Sequence, residues 1–267
     1  DPPFDQSTPL RIALQRAGEF LKNPIAWQKY PNNSSQTNNA GNTYACRPSY
    51  HIMMTDGIWN GGYNAPSDTL RADHSSFILP DGNSYNGSRA PFADQTQQTL
   101  ADLAMHYWAT DLNPSLPNGL SPYIPFKNEI AATQYWDPRN NPATWQHMVN
   151  FTMGLGLTSA LTQSDLEWDP EKGTFGGTGY KNLSNGSKNW PAAGSDSVNN
   201  VYDLWHAAIN SRGEFFSVDS PDAMVQAFKD ILNRIADRTT TAARPAVSAA
   251  FVADNINQLQ SRVYATQ

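Results

Sequence analysis

The sequence holds a single cysteine in 267 residues, Cys46. One thiol excludes an internal disulfide framework and every CxxC or Cys/His zinc pattern. It leaves two readings: a small buried residue, or a thiol whose partner lies outside the chain. No apolar run is long enough for a transmembrane helix. No signal peptide opens the chain, and Asp1-Pro2-Pro3-Phe4-Asp5 reads as the interior of a longer protein. Charge is also scarce, with 16% charged residues and a formal net charge of −6. No block of Lys and Arg occurs anywhere. That excludes nucleic acid, whose phosphates need clustered cations, and docking to an anionic membrane through a basic patch. We therefore expect neither a nucleic-acid partner nor direct membrane insertion. The Gly-x-Ser-x-Gly elbow, the P-loop and the dinucleotide fingerprint are missing as well. Gly173 to Gly179 is glycine-rich, but no helix opening with Lys-Ser/Thr follows it. With no nucleophile–base–orienter set in view, an enzyme is not expected.

What the sequence has instead is aromatic bulk and polar loops. Eight tryptophans and 11% aromatic residues are enough for a large core. Loop-like stretches rich in Asn, Ser, Gly and Pro fall at 24–45, 58–94, 113–143 and 163–198. Between them, apolar spacing predicts a helix over 9–22, with Thr8 as N-cap and Pro9 at the first helical position. A short buried strand, Tyr50 to Thr55, stops abruptly at Asp56-Gly57. A helix is predicted over 95–112. Val149, Phe151, Met153, Leu155 and Leu157 then alternate as in a strand, with Gly154 and Gly156 on the other face. A helix over 199–210, a strand over 214–218 and a helix opening at Ser220-Pro221-Asp222 complete the order. Helix and strand alternate throughout, which argues for an α/β fold: a mostly parallel sheet with helices on both faces and long loop insertions. Such sheets place ligand sites at the carboxyl ends of their strands, where Asp56 falls.

Two hydroxyl- and carboxylate-bearing positions flank regular elements at that rim, Ser7-Thr8 and Thr55-Asp56. Converging, they would offer hard oxygen ligands to a cation. The plain alternative is a helix cap and a turn. Asp165, Glu167 and Asp169 alternate as calcium ligands do, but the remaining EF-hand positions are absent. His51, His74, His106, His147 and His206 match no metal spacing and read as packed or surface side chains. Trp59, Tyr63, Tyr85, Tyr123, Trp136, Trp168, Tyr180 and Trp190 lie in predicted loops. They either cap the core or form a contact surface.

Ser7-Thr8-Pro9-Leu10-Arg11 opening a helix, followed by an apolar strand ending Thr55-Asp56-Gly57, resembles the von Willebrand factor A-like domain with its metal-ion-dependent adhesion site. The block from Tyr50 to Gly61 resembles the PilC/PilY family of type IV pilus tip and biogenesis proteins. So do Thr99 to Leu112, Asn141 to Val149 and Leu204 to Phe216. The resemblance implies a non-enzymatic module for pilus biogenesis and surface adhesion, at the cell surface, pilus tip, periplasm or outer membrane. Minor pilins and a host or surface ligand would be its partners. It implies a site, usually for Mg2+, in which Thr8 and Asp56 are ligands, with Ser7, Trp59 and Asn60 beside the bound ligand. The Asp-x-Ser-x-Ser loop of such sites is missing; Asp73-His74-Ser75-Ser76 is a partial echo in the wrong order. The site is therefore expected to be incomplete here, and the sheet to lack its normally central strand unless another segment replaces it. Residues 1–241 read as the A-like domain, and 242–267 as an extended tail toward a β-rich domain. Of the two readings of Cys46, we expect a pairing with a cysteine upstream. A mechanical domain that binds nothing, or a hydrolase on an α/β sheet, are the alternatives.

Overall fold

The computed structural model describes residues 8–29, 43–56, 58–60, 70–240, 246–247 and 263–264. In chain order its elements are α1 (Leu10–Leu21), β1 (Ser49–Thr55), β2 (Phe77–Ile78), β3 (Ser84–Tyr85), α2 (Leu100–Ala109), α3 (Ala131–Trp136) and β4 (Met148–Leu155). They continue with α4 (Gly177–Ser184), α5 (Asn200–Asn210), β5 (Phe215–Val218), α6 (Pro221–Thr240), β6 (Ala246–Val247) and β7 (Val263–Tyr264). β1, β4 and β5 form one parallel sheet in that order, with Ser49 opposite Met148 and Thr152 opposite Phe215. The fold is α/β, as the alternation predicts.

β4 is the middle strand, and seven of its eight residues are buried. Its alternation divides two cores. Val149, Phe151 and Met153 face Ala227 and Ile231 of α6. Asn150 and Thr152 point to the opposite face and are held there by hydrogen bonds. The Asn150 N–H donates to Ser211 Oγ (3.0 Å), and Thr152 Oγ1 donates to the Leu204 carbonyl (2.7 Å). On this second face α2 and α5 pack against each other, and every residue of both helices is buried. An all-round buried helix belongs to the core and not to the surface. Gly213 is required where the chain turns from α5 into β5. A Cβ there would sit 1.7 Å from the Asn150 carbonyl oxygen, so only glycine lets the two backbones meet.

Several expectations need correction. Thr8 does not cap α1: Pro9 occupies the cap position, and no side chain bonds the helix N-terminus. The cap device is found at α2, where Thr99 and Asp102 form a reciprocal capping box. Segments read as loops contain the short helices α3 and α4 and the β2–β3 hairpin. The turn signal Asp81-Gly82 lies in that hairpin, with Gly82 at φ 87°. β6 and β7 pair antiparallel; the rest of the expected tail, and the boundary at 241, lie outside the described residues.

Candidate functional site

Because the three strands are parallel, their carboxyl ends share one rim. β1 ends at Thr55, and Asp56 follows it, exposed. The segment after it is stitched to the start of α1: the Thr8 N–H donates to Asn60 Oδ1 (2.7 Å), and the Asn60 N–H returns to the Thr8 carbonyl (3.3 Å). Thr8 and the loop carrying Asp56 are thus joined through Asn60.

Trp59 fixes this loop to the core. It is 3% exposed, and its indole N–H donates to Asp203 Oδ2 (2.9 Å). Its carbonyl accepts from Asn200 Nδ2 (2.9 Å) and from the Asp196 N–H (3.2 Å). The Arg11 guanidinium lies 4.0 Å from the ring centroid. Trp59 is therefore a core anchor and not a ligand-facing ring. Asp203 also accepts from the Leu100 N–H (2.9 Å) and the Ala101 N–H (3.0 Å), at the positive end of α2. Burial pushes its carboxyl up to about 6, against the lowering effect of those two donors. One carboxylate on α5 thus locks α2 and the loop after β1.

Thr8 and Asp56 carry the two hard oxygens expected from the sequence. Mg2+ requires six ligands in near-octahedral geometry, so two side chains do not make such a site alone. Ser7 and Gly57 lie outside the described residues, as does Tyr63.

A different group of ligand atoms gathers at the first turn of α2. Among the described residues, Asp73, His74 and Asp102 are the group of three whose ligand atoms all lie within 4.8 Å of one another. Asp73 and Asp102 are 0% exposed. Nearby, His206 has Nε2 3.5 Å from Asp73 Oδ2 and Nδ1 3.6 Å from Asp94 Oδ2, and it stacks on Trp190 with ring centroids 4.4 Å apart. Burial pushes the His206 imidazole down, but Asp73 and Asp94 outweigh it and raise the pKa to about 9. Sequence spacing could not join these residues, because the chain brings them from two loops and two helices.

The other histidines are packed. His147 is held between the Trp145 carbonyl (2.7 Å) and Asn141 Nδ2 (2.8 Å). The His106 Nδ1 accepts from the Arg71 N–H (3.1 Å). His51 meets Asn150 Oδ1 at 2.8 Å. Asp165 and Asp169 form ion pairs with Lys188 (3.0 Å) and Lys172 (3.6 Å). Of the loop aromatics, Tyr85 and Trp190 are buried, while Trp136 and Tyr180 line a cleft of about 480 Å³ with Arg89 and Arg139. Cys46 is exposed, which removes the buried-residue reading. Among the described residues, no helix is long and apolar enough to cross a membrane.

No protein-family model matches the chain, and no solved structure matches it significantly. Curated relatives do. The type IV pilus biogenesis factor PilY1 of Pseudomonas aeruginosa strain PAO1 is 48% identical over 261 residues, 96% of this chain. PilY1 of strain UCBPP-PA14 is 50% identical over 254 residues, 94% of this chain. The chain spans about 21% of the length of these relatives. Identity near one half, sustained along almost the whole chain, shows that it belongs to the PilC/PilY family.

Proposed function

We propose that this chain is a non-enzymatic module of a type IV pilus biogenesis and surface-adhesion protein. It is an A-like domain over residues 1–241 that contributes part of a metal-dependent adhesion site. The observation that carries the reading is the stitch between Thr8 and Asn60, which ties the start of α1 to the loop after β1. Thr8 does no capping work in its helix, which favours another use for its hydroxyl. Asp56, at the carboxyl end of β1, is the carboxylate of that rim. Minor pilins or the pilus tip, and a host or surface ligand, are the partners this module would meet at the cell surface or in the periplasm.

Two protein oxygens leave the coordination shell open. Its remaining protein ligands would come from a segment outside this chain, beside the exposed flank of β1. Ile52 is 36% exposed and Met54 46%, while Met53 and Thr55 between them are buried. Their neighbours across the ladder, Phe151 and Met153, are covered by α6 on the same face. β1 therefore keeps an apolar strip that α6 does not reach, where an additional segment would pack.

Calorimetric titration with Mg2+, on this chain and on one extended upstream, tests the reading. Mg2+ binding to the extended chain that vanishes in Asp56→Ala is expected. Equal Mg2+ binding by the extended wild type and the Asp56→Ala variant would sink it.

A further inference from the structure

We propose that Asp73, His74 and Asp102 form a divalent-metal site of zinc or manganese chemistry that does not use Asp56. The three residues offer one ligand atom each, all within 4.8 Å of one another. Two features point to a cation between them and not to an ordinary ion pair.

The first is the geometry of His74. Its Nδ1 lies 3.3 Å from Asp102 Oδ1, yet that buried nitrogen makes no hydrogen bond. Two donor atoms this close, with the ring not aligned for hydrogen bonding, are spaced as neighbours in one coordination shell are. The second is Asn210, which is 0% exposed. Its Nδ2 donates to Asp73 Oδ2 (2.7 Å), while its Oδ1, on the same amide, has no partner. A buried acceptor without a donor is destabilising. A water on an ion held by Asp73 would supply such a donor.

The surroundings hold the ligands in place. The Asp73 N–H donates to Asp102 Oδ1 (3.1 Å), and the Asp73 carbonyl accepts from Tyr85 Oη (2.7 Å). The Asp102 Oδ2 accepts from the Thr99 N–H (3.4 Å). Gly87 presses on the backbone of His74, where a Cβ would come within 2.4 Å of its carbonyl oxygen. Supporting bonds of this kind orient metal ligands. Each carboxylate oxygen that accepts one such bond keeps a second lone pair. One imidazole with two carboxylates suits Zn2+ or Mn2+ better than the all-oxygen shells of Mg2+ and Ca2+. His74 is part-exposed, with 24% of its side chain accessible, which gives the ion a path from solvent. Three protein ligands leave a position for water.

The test uses the whole chain after removal of metal by a chelator. Zn2+ and Mn2+ are titrated calorimetrically into the wild type, into His74→Ala and into Asp56→Ala, with melting followed by circular dichroism. One equivalent should bind the wild type and raise Tm. His74→Ala should lose at least tenfold in affinity, and Asp56→Ala should bind as the wild type does. Co2+ added to the wild type should give visible absorption bands of a low-symmetry site, a readout that needs no variant to fold. No binding by the wild type, absent Co2+ bands, or unchanged affinity in His74→Ala would overturn the proposal.

Discussion

At the scale of single residues, the interior holds its histidines in opposite protonation states by geometry. His147 is fully buried and receives a hydrogen bond from Asn141 Nδ2 on one nitrogen while donating to the Trp145 carbonyl from the other, an arrangement that fits only the neutral ring. Burial lowers its pKa from 6.5 to about 4, with the nearby Arg238 and Arg212 adding to the shift. The unfolded chain takes up a proton at this residue near pH 6.5, and the folded chain only near pH 4. Its contribution is thus fully present above pH 6.5 and is lost as pH falls toward 4, by roughly 3 kcal/mol. Urea unfolding between pH 7.5 and 4.5 should therefore show a smaller pH slope for His147→Gln than for the wild type. Parallel slopes would contradict the assignment.

At the scale of elements, Asp203 is the joint on which three pieces depend. It receives the Leu100 and Ala101 N–H groups of α2 and the Trp59 indole. Asp203→Ala leaves these donors buried without an acceptor and should cost about 3 kcal/mol or more, whereas Asp203→Asn retains one acceptor oxygen and should cost less. Urea midpoints that fall equally in both variants would show that the hydrogen bonds are not what matters. This joint was not legible in the sequence, because it links residues more than a hundred positions apart. The elements themselves were. β4 and the helices α1, α5 and α6 follow from apolar spacing, and α6 begins where Ser220-Pro221 predicts, with Ser220 Oγ accepting from the Ala223 N–H (3.2 Å). α3 and α4 escaped because six and eight residues are too few to establish a periodicity. At the rim, Asp56 was legible from an apolar run cut off by Asp-Gly. For Trp59 the sequence left core cap and contact surface both open, because loop position says little about burial, and the bond of its indole to Asp203 gives it the core position. Asp73-His74 was noticed only as a partial echo of a metal-site loop, and nothing in the sequence joined it to Asp102, since that proximity comes from tertiary packing.

At the scale of the molecule, the described residues cover the sheet unevenly. α6 covers β4 and β5, but Ile52 and Met54 on β1 stay in solvent. Replacing both with Ser should change the stability of the isolated chain by less than about 0.5 kcal/mol. In a longer protein whose added segment covers them, the same pair of changes should lower the melting temperature by several degrees. Equal effects in the two settings would mean that nothing packs there. The parallel register has a temporal consequence too. Ser49 meets its partner only at Met148, roughly a hundred residues later in the chain. During synthesis the first strand must wait for the second half of the domain to emerge, with its ladder groups unmatched and its apolar strip bare. Any chaperone that shields the chain before it folds would be needed most in that interval.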